Sequence, residues 1–551
     1  MAMRGTSIPT WLATIFFAAS CFKLLLLPAY HSTDFEVHRS WMALTSSQPL
    51  GRWYVDQTSE WTLDYPPFFA WFELLLSYGA PYFDPQMLIL SAEPYASPAT
   101  VAYQRLTVVI TDCILLVGVW SLTSASMAGI PASTPAADAS NALARSALAF
   151  ANAGLLLVDH VHFQYNGMLI GVLLLSAALI TNGRECSGAL VFSVLLNFKH
   201  LFVFAAPLFF VHLLRHHVLR LEPPSAAALL RLFRLGAVVL AVFAASLGPF
   251  IASGQLAQLG ARLFPFGRGL THAYWAPNAW ALYTLLDRLT AAVYRRMLPP
   301  VAPVAGASTA SALSATSGLV GETPMQLLPS IGAPHCTLLV LLAQAPLLIG
   351  TWRRPRPTAF AAGVAYAGLC AFLFGYHVHE KAVLPPLLVL TCLPPPSGAH
   401  VATLHARLLL ILSTAGHYAQ LPLLHKPAEW AVARLVLLTH FCAAWLVLRV
   451  PNIESAGEHG PRSTAARRAR GARGGSGFGP LAWYEALYLA GFVPLELFIS
   501  VVHPLILAPR LPFLPLLATS TYCAVGVLHS SRLALSLWWS YSIGHVNRHD
   551  E

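Results

Sequence analysis

Charge is what this chain has least of. Only 10% of its 551 residues are charged, against 56% of hydrophobic type, whereas a soluble protein carries roughly 25% charged residues. Length alone would suit about three or four soluble domains; the charge deficit excludes them. The eight cysteines (Cys21, Cys113, Cys186, Cys336, Cys370, Cys392, Cys442, Cys523) are scattered, with no CxxC and no Cys/His cluster of zinc spacing. That excludes a disulfide framework and a structural zinc. There is also no Walker loop, no GxGxxG opening a helix and no GxSxG, so no nucleotide site can be read. Lysine plus arginine is 33 and aspartate plus glutamate 23, a net charge of +10. The basic residues form no aromatic-interleaved patches, so no nucleic-acid partner is expected. They sit in short clusters between apolar segments, as the cytoplasmic loops of membrane proteins do.

What is present is a series of apolar runs near the 20 or so residues that cross a bilayer. The first, Ile8–Tyr30, lacks the small-residue cleavage site of a signal peptide. Others follow at Leu106–Met127, Leu143–Val158, Met168–Thr181, Leu190–Leu214, Leu232–Ala252, Cys336–Trp352, Thr358–Tyr376, Val383–Leu393, Leu404–His417, Trp430–Val450, Leu481–Val502 and Pro512–Leu528. Leu190–Leu214 is broken around Asn197-Phe198-Lys199-His200 and counts as one span or two short ones. The expectation is an all-α polytopic membrane protein with about 12 to 14 spans embedded in the lipid bilayer.

With the N-terminus in the cytoplasm and the broken segment counted as two, the basic clusters Arg215–Arg220, Arg353–Arg356 and Arg462–Arg473 share that side. This satisfies the positive-inside bias, provided Asn278–Met297 does not cross. The expected division is 1–30 first anchor, 31–104 far-side loop, 105–253 membrane helices and 254–334 far-side loop. Then come 335–454 membrane helices with an HVHEK segment, 455–479 a basic cytoplasmic loop, and 480–551 C-terminal membrane helices and tail. Pro299–Pro334 and Ser455–Gly479 have linker composition, and no internal repeat is visible.

Eight of the 23 acidic residues fall between Asp34 and Glu93, among Trp41, Trp53, Trp61, Tyr65 and Trp71. Aromatic faces beside carboxylates suit sugar rings; Trp and Tyr are also enriched at membrane boundaries, and Phe68–Tyr82 reads as an interfacial helix. His31–Arg39 gathers two carboxylates, two imidazoles and a guanidinium at the end of a span, where ionisable groups are expensive without a role. Asp34 reads as functional; Glu36 is open between function and structure. Similar density recurs in Asp159–Asn166, in the basic and aromatic stretch Arg262–Asn278, and in His377-Val378-His379-Glu380-Lys381. Arg, Lys and His at a membrane surface can hold a phosphate. His377, His379 and Glu380 suggest zinc, but HxHE lacks the i, i+4 spacing and no third ligand is apparent in the sequence. Asp159 with His160 and His162 suits a metal or, more commonly, a helix cap. Lys199 suits a phosphate or the turn between two short spans.

HSTDFEVHRSW (His31–Trp41), SEWTLDYPPFFAWFE (Ser59–Glu73), DHVHFQYNG (Asp159–Gly167), LNFKHLF (Leu196–Phe202), RLFPFGRGLTHAYWAPNAWALY (Arg262–Tyr283) and FGYHVHEKAVL (Phe374–Leu384) occur in this order. In them the chain resembles the dolichyl-phosphate-glucose-dependent glucosyltransferases of the endoplasmic reticulum, which have the GT-C fold. The C-terminal third resembles that family mainly in hydropathy. The resemblance implies two substrates, dolichyl phosphate glucose and a dolichyl-diphosphate-linked oligosaccharide, and a lumen-facing site. HSTDFEVHR and HAYWAPN are similar to the members that add the second glucose, onto Glc1Man9GlcNAc2-PP-dolichol in an α-1,3 link; a sibling adds the first.

By the same resemblance the donor is β-linked and the product α-linked, so configuration inverts and Asp34, in the DFE motif, is the catalytic base. Lys381, His377, His379 and Arg268 are the candidates for the donor phosphate. Glu36, Trp61, Asp64 and Tyr65 are the candidates for sugar hydroxyls. No metal or cofactor is expected. A lipid or sugar-phosphate transporter is the competing class, though such proteins often show repeats and mid-membrane charges; a structural subunit is another.

Overall fold

The computed structural model describes residues 8–127, 135–220, 225–264, 269–272, 275–297, 325–394, 399–424, 426–448 and 479–543. Arg268, most of Pro299–Pro334 and nearly all of Ser455–Gly479 lie outside them. The described residues form helices joined by turns and loops, their one extended pairing being a bridge between Thr271 and Val378. A chain with no water to satisfy its amides in hydrocarbon must close its hydrogen bonds inside each segment, which favours helices.

Eight described helical stretches are long and apolar enough to cross a bilayer: Pro98–Met127, Ala142–Phe163, His200–Val218, Ala226–Ala252, Ala333–Arg353, Pro357–Phe374, Pro427–Leu448 and Trp483–Leu507. Thr10–Leu24, Asn166–Thr181 and Glu185–Phe198 are apolar but shorter. Three further segments expected from hydropathy are also helices, at Leu384–Cys392, Ala399–Tyr418 and Leu514–Ile543. Asn278–Met297 forms the helix Ala279–Met297, which carries Asp287, Arg288, Arg295 and Arg296 and is not among the eight.

The break expected near Lys199 is real. Lys199 has extended backbone (φ −151°, ψ 111°) after Glu185–Phe198. The Phe192 and Phe209 rings on either side stack at 3.8 Å, so the chain folds back at the break between the short helix Glu185–Phe198 and the longer stretch His200–Val218.

The helices Pro98–Met127 and Asn166–Thr181 form the closest seam. A Cβ on Gly118 would lie 2.3 Å from the Gly171 carbonyl oxygen, and one on Gly171 would lie 2.5 Å from that of Ile114. Small residues allow this backbone approach where lipid supplies no hydrophobic drive between helices. Buried Leu115, Leu122, Leu173 and Leu174 fill the rest of the core at this seam.

On one face sits a cap of short helices built from residues 31–97. Thr33–Ser47 starts where Ser32 accepts a hydrogen bond from the Asp34 amide at 3.1 Å, and Asp34 and Glu36 occupy its first turn. An N-cap and acidic first turn satisfy free amides and the helix dipole. Pro67 opens Pro67–Ser77, its fixed φ suiting the first helical position. The expected interfacial segment Phe68–Tyr82 is thus this helix plus the turn Ala80–Tyr82.

Candidate active site

Asp34 sits at the start of Thr33–Ser47, where the helix N-terminus favours an anion. Its Oδ2 accepts a hydrogen bond from Gln164 Nε2. It also lies 3.3 Å from His162 Nε2 and 3.4 Å from Lys381 Nζ. The carboxylate remains 27% exposed, so it is reachable. Burial works to raise its pKa, but the Lys381 charge, the His162 hydrogen bond and the charges of His162 and His38 outweigh it. The net effect holds Asp34 well below the usual carboxylate range. A carboxylate so held is ionised and open to an incoming hydroxyl.

The residues that grip Asp34 come from a distorted stretch. Leu156–Phe163 is a π-helix, a form that often marks functional sites, and Phe163 ends it with φ 87°. For a bulky residue this left-handed backbone is strained, and such strain persists only where the surroundings fix it. The fixing contacts are present. Ser32 Oγ donates to the His162 carbonyl at 2.6 Å, and the Ser32 amide donates to the same oxygen at 3.0 Å. Arg105 donates to the carbonyls of His160 and Val161 and to those of Ala29 and Tyr30. Asp159 accepts from the Gly167 amide at 2.6 Å and from Asn166 Nδ2 at 2.8 Å, so it caps the next helix. Asn166 also donates to Gln164 Oε1 at 2.9 Å, which fixes the Gln164 amide with its NH2 toward Asp34.

Beneath this stretch lies a buried ionic group. Lys23 Nζ donates to Asp112 Oδ2 at 2.6 Å, and His160 Nε2 is 3.0 Å from the same oxygen. All three side chains are nearly inaccessible. The group ties the first helix, Pro98–Met127 and the π-helix together. Beside Asp34, His38 Nδ1 meets Glu73 Oε1 at 2.7 Å inside a box of Trp41, Phe69, Phe163 and Tyr165 rings.

The structure brings some of the sequence-derived candidates together. Lys381 is on Asp34. Tyr65 is half-buried under the Lys199 ammonium, which is 4.9 Å from its ring centroid. Burial and the carboxylates of Asp64 and Asp34 hold the Tyr65 phenol well above its usual pKa, which marks all three as neighbours. Trp61 is half-buried, and its carbonyl accepts from Trp41 Nε1 at 3.0 Å.

Glu36 does not fit a sugar-binding role. Arg39 chelates both its oxygens at 2.6–3.0 Å, and the Tyr95 amide donates to Oε2 at 3.0 Å. Arg39 itself continues to the Met87 and Ile89 carbonyls. Glu36 fastens the cap, because i, i+3 spacing puts it and Arg39 on one helix face.

His377 and His379 face a third imidazole that the sequence reading missed. His272 stacks on His379 with ring centroids 3.8 Å apart. The two loops are joined by the Thr271–Val378 bridge and by the His377 amide donating to the Leu270 carbonyl at 3.0 Å. His377, at φ 53°, has its Nδ1 3.0 Å from the Gly269 carbonyl. Since a carbonyl only accepts, that nitrogen carries the proton. Buried Glu380 lies 3.6 Å from His272 Nδ1. The three histidines could hold a metal ion, their ligand atoms lying within 4.8 Å of one another. The His272 and His379 rings are tilted 31° to each other. Burial, followed by the neighbouring charges of His272, Lys381 and His377, pushes the His379 pKa well below its usual value. It is therefore neutral, a hydrogen-bond donor and not a cation.

Gln164 and His272 are site residues to which sequence reasoning gave no individual role, and His162, weighed with Asp159 and His160 for a metal or a helix cap, lies instead against Asp34. The polar density of Asp159–Asn166 and of Arg262–Asn278 was the available signal.

The model of the ALG6, ALG8 glycosyltransferase family matches residues 19–534. A protein of Arabidopsis thaliana named dolichyl pyrophosphate Glc1Man9GlcNAc2 alpha-1,3-glucosyltransferase is 41% identical over 538 residues, covering 96% of this chain and 98% of the relative. The protein of the same name from Mus musculus is 38% identical over 553 residues, 98% of each. A Drosophila melanogaster protein named as the probable equivalent is 43% identical over 515 residues, 93% of this chain and 91% of the relative. With a match running almost end to end, and with an ionised carboxylate at its centre, the chain belongs to the ALG6, ALG8 glycosyltransferase family.

Proposed function

We propose that this protein is an inverting glucosyltransferase that moves glucose from dolichyl phosphate glucose onto Glc1Man9GlcNAc2-PP-dolichol in an α-1,3 link. It acts in the endoplasmic reticulum membrane with the Asp34 face toward the lumen, and has the GT-C architecture. The single observation that supports the chemistry best is the exposed, ionised Asp34 carboxylate held by Lys381, His162 and Gln164. The relatives named for this acceptor support the substrate.

Inversion needs one in-line displacement. Asp34 takes the proton of the acceptor's 3-hydroxyl as that oxygen attacks the anomeric carbon. The glycosyl–phosphate bond breaks toward the phosphate, which leaves as a stable anion and needs no general acid. Its growing charge calls for fixed donors and cations. Lys381, His377 and Arg268 are assigned to it, and neutral His379 contributes a hydrogen bond. Trp61, Asp64 and Tyr65 are assigned to the sugars.

Cells lacking the protein are expected to accumulate the one-glucose lipid-linked oligosaccharide, read by mass analysis of the released glycans. Accumulation of the glucose-free form would assign the chain to the first glucose instead. Transfer is also expected to survive dialysis against a strong chelator at its full rate. A loss that zinc restores would make His272, His377 and His379 a metal centre.

A further inference from the structure

Lys199 stands in the site with no carboxylate partner among the described residues. It stands at the helix break with its side chain turned in among Tyr65 and Asn166, and the residue is only 8% exposed. An ammonium has three donors. Among the described residues its one hydrogen-bond acceptor is Asn166 Oδ1, at the long distance of 3.5 Å, and its other contact is the Tyr65 ring. No carboxylate of the described residues pairs with it within 4.0 Å. The nearby acids are engaged elsewhere: Asp34 with Lys381, His162 and Gln164, and Asp159 with Gly167 and Asn166. A buried ammonium left this way is costly unless an anion arrives.

We propose that Lys199 binds the phosphate of a polyprenyl phosphate sugar and receives the leaving phosphate's charge. This rests on the glucosyl-transfer reading and deepens it. Lys381 lies on Asp34, and Lys199, over the Tyr65 ring, joins it as a second cation for the phosphate. In the step, the C1–O bond to phosphate breaks and its electron pair goes to the phosphate. The acceptor oxygen forms the new C1–O bond, and its proton passes to Asp34. Lys199 keeps its proton and faces the departing monoester dianion.

The test uses purified full-length protein, wild type, Lys199→Met and Lys199→Arg. For Lys199→Met, the donor KM and the inhibition constant of dolichyl phosphate are expected to rise about 10-fold or more, as losing a charged hydrogen bond implies. The acceptor KM stays unchanged, and Lys199→Arg recovers most of the product inhibition. Unchanged donor KM and product inhibition in a folded Lys199→Met protein would overturn the proposal. A second measurement needs no variant. Dolichyl phosphate is expected to protect Lys199 of the wild type from reductive methylation, read by mass spectrometry, and inorganic phosphate at the same concentration is not. No protection, or equal protection by inorganic phosphate, overturns the assignment to a lipid-borne donor. Protection without any transfer by the wild type sinks the transferase reading and leaves the phosphate site standing.

Discussion

Asp34→Asn is expected to lower kcat by at least about 100-fold, the usual worth of a positioned base, while the donor KM stays near its wild-type value. Asparagine keeps the shape of the side chain but cannot take the acceptor's proton. The cap around it is built mainly by other contacts, the Ser32 bonds to His162 and the Glu36–Arg39 pair, so the variant should express and fold. Near-normal turnover would remove Asp34 from the mechanism. The pH dependence carries a matching expectation. The folded-state pKa of Asp34 is depressed. Its ionised form therefore contributes stability above the ordinary carboxylate value of about 3.9, and that contribution is lost only as pH falls through the lower folded value. Activity should accordingly show no loss of this base as pH drops from about 7 to about 5.

The second large effect concerns stability. Lys23→Met leaves the Asp112 carboxylate buried without its ammonium, 3.0 Å from His160. Breaking one side of a buried pair typically costs about 3–5 kcal/mol. Lys23→Met combined with Asp112→Asn removes both charges and should recover much of that loss. Denaturant unfolding in detergent compares them. Equal destabilisation of the single and double variants would mean that the ion pair is not what joins these helices. The pair also underlies the π-helix, so the single variant should loosen His162 and Gln164 and slow transfer in the molecules that remain folded.

Asp34 was legible in the sequence because an ionisable group just past an apolar run demands an explanation. The break at Lys199 was legible for the same reason, and the structure gives that lysine both the turn and a side chain aimed into the site. Glu36 had the same density around it, but its meaning lay in a detail: Arg39 follows three residues later, and a helix puts the two on one face. The partners of Asp34 were hidden by distance along the chain. Gln164 lies 130 residues away and Lys381 lies 347 away, and no local pattern encodes such contacts. His272 reaches His377 and His379 only because the Thr271–Val378 bridge joins two separate loops, so a third imidazole could not be read from the HVHEK run alone. Hydropathy located apolar helices, eight of them long enough to cross a bilayer, yet it could not show that Leu156–Phe163 winds as a π-helix, because that depends on the contacts of Arg105 and Ser32.

The most direct measurement is transfer by purified protein in detergent, with dolichyl phosphate glucose and two acceptors, one bearing a single glucose and one bearing none. The expected result is one α-1,3-linked glucose added to the one-glucose acceptor, with no sealed compartment required and with Asp34→Asn silent beside it. Transfer confined to the glucose-free acceptor, or none from a folded protein that binds the donor, would contradict it.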